Sequence, residues 1–151
     1  MNSKPTLVLM VGLPRSGKST WLDGVVVPIV CPDEIRKVLG CYPFDAARET
    51  EVWYIAHVMV KALFGAGARR VYLDACSITT QRRAEWSSPD WDLEYQIITT
   101  PSHVCLRRAI ESGQDYLVPV IDRMDAAADW KVEIEQPDFA IPFSLDGRRI
   151  L

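Results

Sequence analysis

The chain has 151 residues, of which 48% are hydrophobic and 25% are charged, so it fits one compact domain with little room for a second. Its net charge of −3 argues against tight binding along an extended nucleic acid, because such proteins usually carry a basic surface. No apolar run approaches the roughly 20 residues of a membrane-spanning helix, and the first residues lack the zones of a signal peptide. We therefore expect a cytoplasmic protein with no membrane partner.

Apolar runs alternate with helical patterns along the chain, as expected of a parallel sheet covered by helices. In chain order, the predicted elements are a strand (6–11), a turn (12–18), a helix (18 to about 25), a weak strand (28–31), a helix (33–39), a long helix (45–64), a strand (71–74), a helix (80–87), a strand (95–99) and two helices (102–112 and 118 to about 129). Asp33 is the predicted N-cap of its helix and Gly40 its stop. The segment from Pro137 onward is predicted to hold at most one late strand.

The turn that follows the first strand matches the Walker A pattern, in which two glycines with four residues between them precede a lysine and a hydroxyl residue. Such a loop wraps phosphate oxygens with backbone N–H groups, and the next helix adds its positive N-terminal end. Lys18 is expected to reach the β- and γ-phosphates, and Ser19 to bind Mg²⁺. The predicted nucleotide-binding residues are Gly12, Leu13, Pro14, Arg15, Ser16, Gly17, Lys18, Ser19 and Thr20. A glycine-rich turn with a surface lysine is the structural alternative.

Two acidic residues follow predicted strands, where open α/β sheets bind ligands. Asp33 comes after the second strand and is the candidate base for an acceptor hydroxyl, with Arg36 on the same helix face. Asp74 ends the buried third strand, the usual position of an acid near Mg²⁺. Both acids also have structural interpretations, Asp33 as a helix cap balanced by Arg36 and Asp74 as the start of a turn.

The helix after the fourth strand carries Arg107 and Arg108, where P-loop kinases often have a lid. A lid arginine would stabilise the negative charge of the moving phosphoryl group. The alternative is a solvated face, with Arg107 paired to Glu111 one helical turn later. Arg82 and Arg83 are interpreted as surface charges, although either could touch a substrate.

The chain resembles the 5′-kinase domain of phage-type polynucleotide kinases from about residue 6 to residue 124. The segments that carry the resemblance are 12–21 (GLPRSGKSTW), 32–36 (PDEIR), 73–74 with 81–86 (LD and QRRAEW), 105–108 (CLRR) and 118–124 (VPVIDRM). The first looks like the family's phosphate loop, and the second is similar to the segment that bears its general base. The last two look like its lid, which would cover about residues 102–125 here.

The resemblance implies roles for individual residues. Asp33 would be the general base, and Arg36 would hold the phosphate next to the nucleoside that bears the 5′-hydroxyl. Asp74 would be an active-site acid, and Arg108 would match the first of two lid arginines spaced four residues apart. The second position is Ser112 in this sequence, which departs from the family pattern.

These observations predict a single P-loop kinase domain over residues 1–151, with a three-layer α/β fold and a parallel sheet of about five strands. The expected reaction transfers the γ-phosphoryl group of ATP or GTP, with Mg²⁺, to the 5′-hydroxyl of DNA or RNA. A phage-encoded protein of this kind would act in the host cytoplasm. One alternative is a kinase of a small molecule or a modified base, and another is an NTPase switch without an acceptor. The sequence leaves the oligomeric state open.

Overall fold

The computed structural model describes residues 3–129, whose strands form one four-stranded parallel sheet. The strands are β1 (Thr6–Val11), β2 (Ile29–Val30), β3 (Arg70–Leu73) and β4 (Asp92–Ile97). Their order in the sheet is β2-β3-β1-β4, and each neighbouring pair is parallel. The sequence predicted about five strands, and its late strand after Pro137 lies outside the described residues.

Helices cover both faces of this sheet. The α-helices are α1 (Lys18–Leu22), α2 (Pro32–Leu39), α3 (Glu49–Gly65), α4 (Thr80–Ala84), α5 (Ser102–Glu111) and α6 (Val118–Ala127). Short 3-10 helices precede α3 and α6, at Ala46–Arg48 and Asp115–Leu117. Within residues 3–129, none of the helices combines the length and the apolar character that crossing a membrane requires.

The alternating side chains of β1 build a core on each face. Leu7 and Leu9 belong to the larger core, which includes Val52 and Val60 of α3. Val8 and Met10 point into the opposite core with Leu22 of α1, so the apolar run predicted for β1 reflects burial on both sides. The three-layer α/β architecture predicted from the sequence is confirmed.

The start of α2 differs from the prediction. Cys31 is the N-cap and Pro32 the first helical residue, so Asp33 lies inside the first turn and its prediction as the N-cap was wrong. Proline suits this first position, because its fixed φ is helical and no partner is needed for a missing N–H group. Gly40 ends the helix in the left-handed conformation at φ 72°, as predicted.

Strand β4 begins at Asp92, earlier than the predicted residue 95. Thr6 pairs with Asp92 in the parallel register, and the Asp92 backbone N–H donates to Pro5 O at 2.9 Å. Pairing with β1 therefore extends β4 through residues 92–94, in a strand whose polar and apolar residues alternate.

Arg83 was interpreted as a surface charge, and the structure contradicts this. The residue is 3% exposed, and its Nη1 donates to Ser77 O at 3.0 Å. Its Nη2 bonds to the Asp129 carboxylate at 2.9 Å, and that carboxylate also accepts from the Thr80 backbone N–H at 2.9 Å. Arg83 therefore ties the loop after β3 to the segment that follows α6.

We predict that Arg83→Met lowers the free energy of unfolding by about 2 kcal/mol, because it leaves a buried carbonyl and a carboxylate without their charged donor. Chemical denaturation measures this loss. Arg107→Met is the matched control, since Arg107 is exposed and lies 4.0 Å from Glu111. The Arg107→Met control should lower the free energy of unfolding by less than about 0.5 kcal/mol. Equal losses in the two variants would show that the Arg83 network adds nothing.

Candidate active site

The carboxyl ends of the four parallel strands meet at one edge of the sheet and bring the predicted site residues together. The loop of residues 12–18 follows β1, Asp33 lies just after β2, and Asp74 directly follows β3. Helix α5 enters from the end of β4. This edge is where open α/β sheets bind ligands.

The Walker A-like loop after β1, residues 12–18, depends on local backbone geometry. Gly17 and Arg15 adopt positive φ angles of 106° and 64°, which is uncommon for a residue other than glycine. A Cβ atom at Gly12 would lie 2.8 Å from Ser16 Oγ and 3.0 Å from Ile98 O, so only glycine fits there. The loop therefore folds back on itself closely, as a backbone that surrounds phosphates must.

Neighbouring loops hold this conformation. The Gly12 backbone N–H donates to Cys76 O at 3.0 Å, and Thr100 Oγ1 donates to Ser16 O at 2.7 Å. These two bonds attach the loop to the segments that follow β3 and β4. Their partners are far apart in the sequence, and the parallel sheet alone makes them neighbours.

Lys18 is 8% exposed and is therefore not a surface lysine. Its Nζ donates to Leu13 O at 2.6 Å and to Gly12 O at 3.1 Å. The ammonium group thus sits against the carbonyls of the loop that it follows, next to the N-terminus of α1. The loop, the cation and the helix end together form a compact positive region.

Ser19 and Asp74 form the contact between this loop and β3. Ser19 Oγ donates to Asp74 Oδ2 at 2.9 Å. Burial raises the pKa of the Asp74 carboxyl, while the Ser19 hydrogen bond and the Lys18 charge act in the opposite direction. The negative charge of Asp33 adds to the upward shift of the Asp74 pKa, which places the two acids in one electrostatic neighbourhood.

The oxygen pair of Ser19 and Asp74 fits Mg²⁺, which prefers oxygen ligands and usually takes only one or two from the protein. Within residues 3–129, no group of three or more His, Cys, Asp or Glu side chains could hold a metal ion by itself. Mg²⁺ at this position would therefore need further oxygens from a phosphate ligand and water.

Asp33 is part of a charged cluster on the other side of the site. Its carboxylate is 57% exposed and accepts from Arg36 Nη1 at 2.7 Å. Glu49 binds the other side of the same guanidinium, accepting from Nε and Nη2 at 2.8 Å each. This bidentate salt bridge lowers the pKa of Glu49 and raises the pKa of Arg36 above its usual range. Arg36 is therefore fixed between two carboxylates.

The lid arginine predicted at Arg108 lies against the loop. Arg108 Nη1 donates to Arg15 O at 3.1 Å, which brings α5 next to the phosphate-binding turn. Arg107 instead lies on the exposed face, 4.0 Å from Glu111, as the alternative interpretation held. Ser112 follows the last residue of α5, and its hydroxyl bonds to Ala109 O and to Gln114 Oε1 at 3.1 Å each. The Ser112 side chain therefore makes local hydrogen bonds at the C-terminal end of α5.

No protein-family model matches the sequence, and no protein of curated function matches it either. Solved structures with similar folds include a chain of the Pnkp1/Rnl/Hen1 complex, with a TM-score of 0.64 and 20% identity over 72% of this chain and 40% of that one. The APS kinase CysC of Mycobacterium tuberculosis matches with a TM-score of 0.52 and 22% identity, over 72% of this chain and 70% of that one. A gluconokinase from Sinorhizobium meliloti 1021 matches with a TM-score of 0.57 and 16% identity, over 93% of this chain and 84% of that one.

The chain has the fold of P-loop kinases. It spans less than half the length of the Pnkp1/Rnl/Hen1 chains that it matches, 40% of one and 48% of another. At these levels of identity, the likeness concerns the fold.

Sequence reasoning missed Glu49, which belongs to the charged cluster around Arg36. It lies 13 positions from Arg36, and no motif connects the two. Helical spacing offered a partial signal, because Trp53 is one turn after Glu49 and its Nε1 donates to the Glu49 carboxylate at 3.0 Å.

We predict that Asp74→Asn raises the thermal midpoint at pH 7. The folded-state pKa of Asp74 lies above its unfolded value, so folding favours the protonated acid, and stability falls as pH rises between the two values. The variant escapes this loss, so its advantage should shrink below about pH 4, the ordinary range of aspartate. Thermal melts at several pH values measure the difference. Asp90→Asn, in an exposed loop, controls for removing one negative charge. A lower midpoint for Asp74→Asn at pH 7 would contradict the prediction.

Proposed function

We propose that this chain is a kinase that transfers the γ-phosphoryl group of ATP or GTP to an acceptor hydroxyl, with the 5′-hydroxyl of DNA or RNA as the first-choice acceptor. The observation that carries the proposal is the position of Asp33. This exposed carboxylate lies three residues after Val30, whose carbonyl accepts from the Asp74 backbone N–H at 2.9 Å, and Asp74 bonds to Ser19 in the first turn of α1. A base beside a phosphate loop is the group that transfer to a hydroxyl needs to remove the proton of the attacking oxygen.

We assign binding of the phosphoryl donor, ATP or GTP, to residues 12–20. Backbone N–H groups of the loop would bind the β- and γ-phosphates, and Lys18 would meet the same oxygens. The Lys18 ammonium now bonds to two neutral carbonyls, and charged phosphate oxygens are the stronger acceptors. Arg108 would add a second cation, because its contact with Arg15 O brings it to the rim of the loop.

Mg²⁺ would be held by Ser19 directly, with Asp74 beside it. When bound, Mg²⁺ neutralises charge on the phosphates. The chain's own contribution is to keep the Ser19 hydroxyl and the Asp74 carboxylate 2.9 Å apart at the end of β3.

On the acceptor side, Asp33 would accept the proton of the attacking hydroxyl. It is accessible, and its salt bridge to Arg36 directs one oxygen toward the guanidinium. The other oxygen is the one that we assign to the acceptor. Arg36 would also bind a phosphate adjacent to the reacting nucleoside, since the Glu49 pair fixes the plane of its guanidinium.

A second candidate acceptor is the hydroxyl of a small molecule or a modified base. The specific observation in its favour is Ser112, which bonds within the end of α5 where the resembled family has a second lid arginine. The net charge of −3 also favours an acceptor smaller than a long nucleic acid. Two of the similar structures are described as an APS kinase and a gluconokinase, so small acceptors occur on this fold.

The experiment that separates these candidates is transfer of labelled γ-phosphate in the presence of Mg²⁺ to a panel of acceptors. The panel contains a 5′-hydroxyl oligonucleotide, a hydroxymethylated duplex, free nucleosides and sugars. Label at the oligonucleotide 5′ end supports the first choice. Label on another acceptor supports the second candidate, and label released only as free phosphate contradicts both and favours an NTPase.

We predict that Asp33→Asn lowers phosphoryl transfer by 10²- to 10⁴-fold, the usual contribution of a general base. Slow hydrolysis without an acceptor should remain, because the base acts on the acceptor alone. Glu34→Gln is the matched control, since this neighbouring carboxylate on the same helix pairs with Lys37 at 2.6 Å. It should keep full transfer. If Asp33→Asn lost hydrolysis and transfer equally, Asp33 would belong to the nucleotide site instead.

A further inference from the structure

Two arginines from different elements flank the same aromatic ring beside the proposed acceptor site. The guanidinium carbon of Arg82, on α4, lies 4.6 Å from the centroid of the Trp53 ring on α3. The corresponding carbon of Arg36, on α2, lies 5.9 Å from the same ring. Arginine stacks on aromatic faces in this way through its planar charged group. One indole side chain therefore connects two cations.

The Trp53 ring is itself fixed relative to the candidate base. Its Nε1 donates to Glu49 at 3.0 Å, and Glu49 holds the guanidinium that bonds to Asp33. The contacts thus run in one series, from Asp33 through Arg36 and Trp53 to Arg82. The charge of Arg82 also contributes to lowering the pKa of Glu49, as expected if both groups face the same region.

The two cations differ in how far they are already neutralised. Arg36 is mostly buried between the carboxylates of Asp33 and Glu49. Arg82 is 40% exposed, and within residues 3–129 its salt bridge is to Glu85, at 3.0 Å, at the end of the same helix. Exposed pairs of this kind are weak, so an anion can compete for Arg82 at small cost. Among the cations of this cluster, Arg82 is the one most open to a further phosphate.

We propose that Arg82, stacked on Trp53, binds a second phosphate of the acceptor, so that the preferred acceptor is a strand with two or more phosphates rather than a nucleoside with one. This inference rests on the proposed function, because it takes Asp33 as the position of the reacting hydroxyl. The first phosphate then lies at Arg36, and the next phosphate along the strand lies at Arg82. The contact is to the backbone, so it does not depend on base identity.

The experiment compares Arg82→Gln with Glu85→Gln. Both variants lose the same ion pair, but only the first loses the cation. The acceptors are a nucleoside 3′-monophosphate and a 5′-hydroxyl tetranucleotide, assayed by label transfer. Binding of the tetranucleotide without ATP is followed by fluorescence anisotropy at several salt concentrations.

The wild-type protein should prefer the tetranucleotide by kcat/KM, and Arg82→Gln should reduce this preference about tenfold, mainly through KM. The slope of log affinity against log salt should fall by about 0.7, the value for one phosphate contact with a single strand. Glu85→Gln should keep or increase the preference, because it frees Arg82.

Each remaining outcome has a definite meaning. Transfer with the same preference in both variants overturns the Arg82 assignment and leaves the kinase proposal intact. Absence of transfer in the wild type, with tetranucleotide binding that still depends on Arg82, contradicts the proposed function and supports the phosphate contact. Absence of both transfer and Arg82-dependent binding overturns both.

Discussion

The parallel pairing of β1 with β3 on one side and β4 on the other is the constraint on which the candidate site depends. It places the loop after β1 between the segments that follow its two neighbours. Hydrogen bonds from Gly12 to Cys76 and from Thr100 to Ser16 then fix the loop from both sides. The sheet is stabilised by burial of β1 on both faces, so the apolar core also determines the shape of this loop.

The site divides into two charged regions that meet at Asp74. Lys18 and the start of α1 form a positive region, whereas Arg36 is held between two carboxylates at the start of α2 and α3. The carboxyl of Asp74 is half-buried, and this partial loss of solvent raises its pKa and makes its ionised form costly to the folded state. That cost is typical of functional acids, which are often retained against stability. In the proposed function, these two regions would receive the phosphoryl donor with Mg²⁺ and the acceptor hydroxyl, respectively.

The sequence predicted the parts of this site that depend on local pattern. The strand, loop and helix around Lys18 were predicted because hydrophobic run, glycine spacing and helix start are all local features. The contacts of Glu49 and Arg83 were not predicted. They arise because the fold brings distant partners close, Arg36 to Glu49 and Asp129 to Arg83. The prediction of Asp33 as the N-cap of α2 was wrong for a different reason. A cap residue and a first-turn acid differ by one or two positions, and Pro32 decided between them.

In the proposed reaction, the phosphoryl group passes directly to the acceptor hydroxyl, and Asp33 removes a proton without ever carrying that group. The measurement that tests it most directly is the stereochemical course at phosphorus, with a chiral γ-thiophosphate donor and the acceptor found by the label assay. A single in-line displacement predicts inversion of configuration. Retention would require two displacements through a phosphorylated side chain, and it would contradict the role given to Asp33.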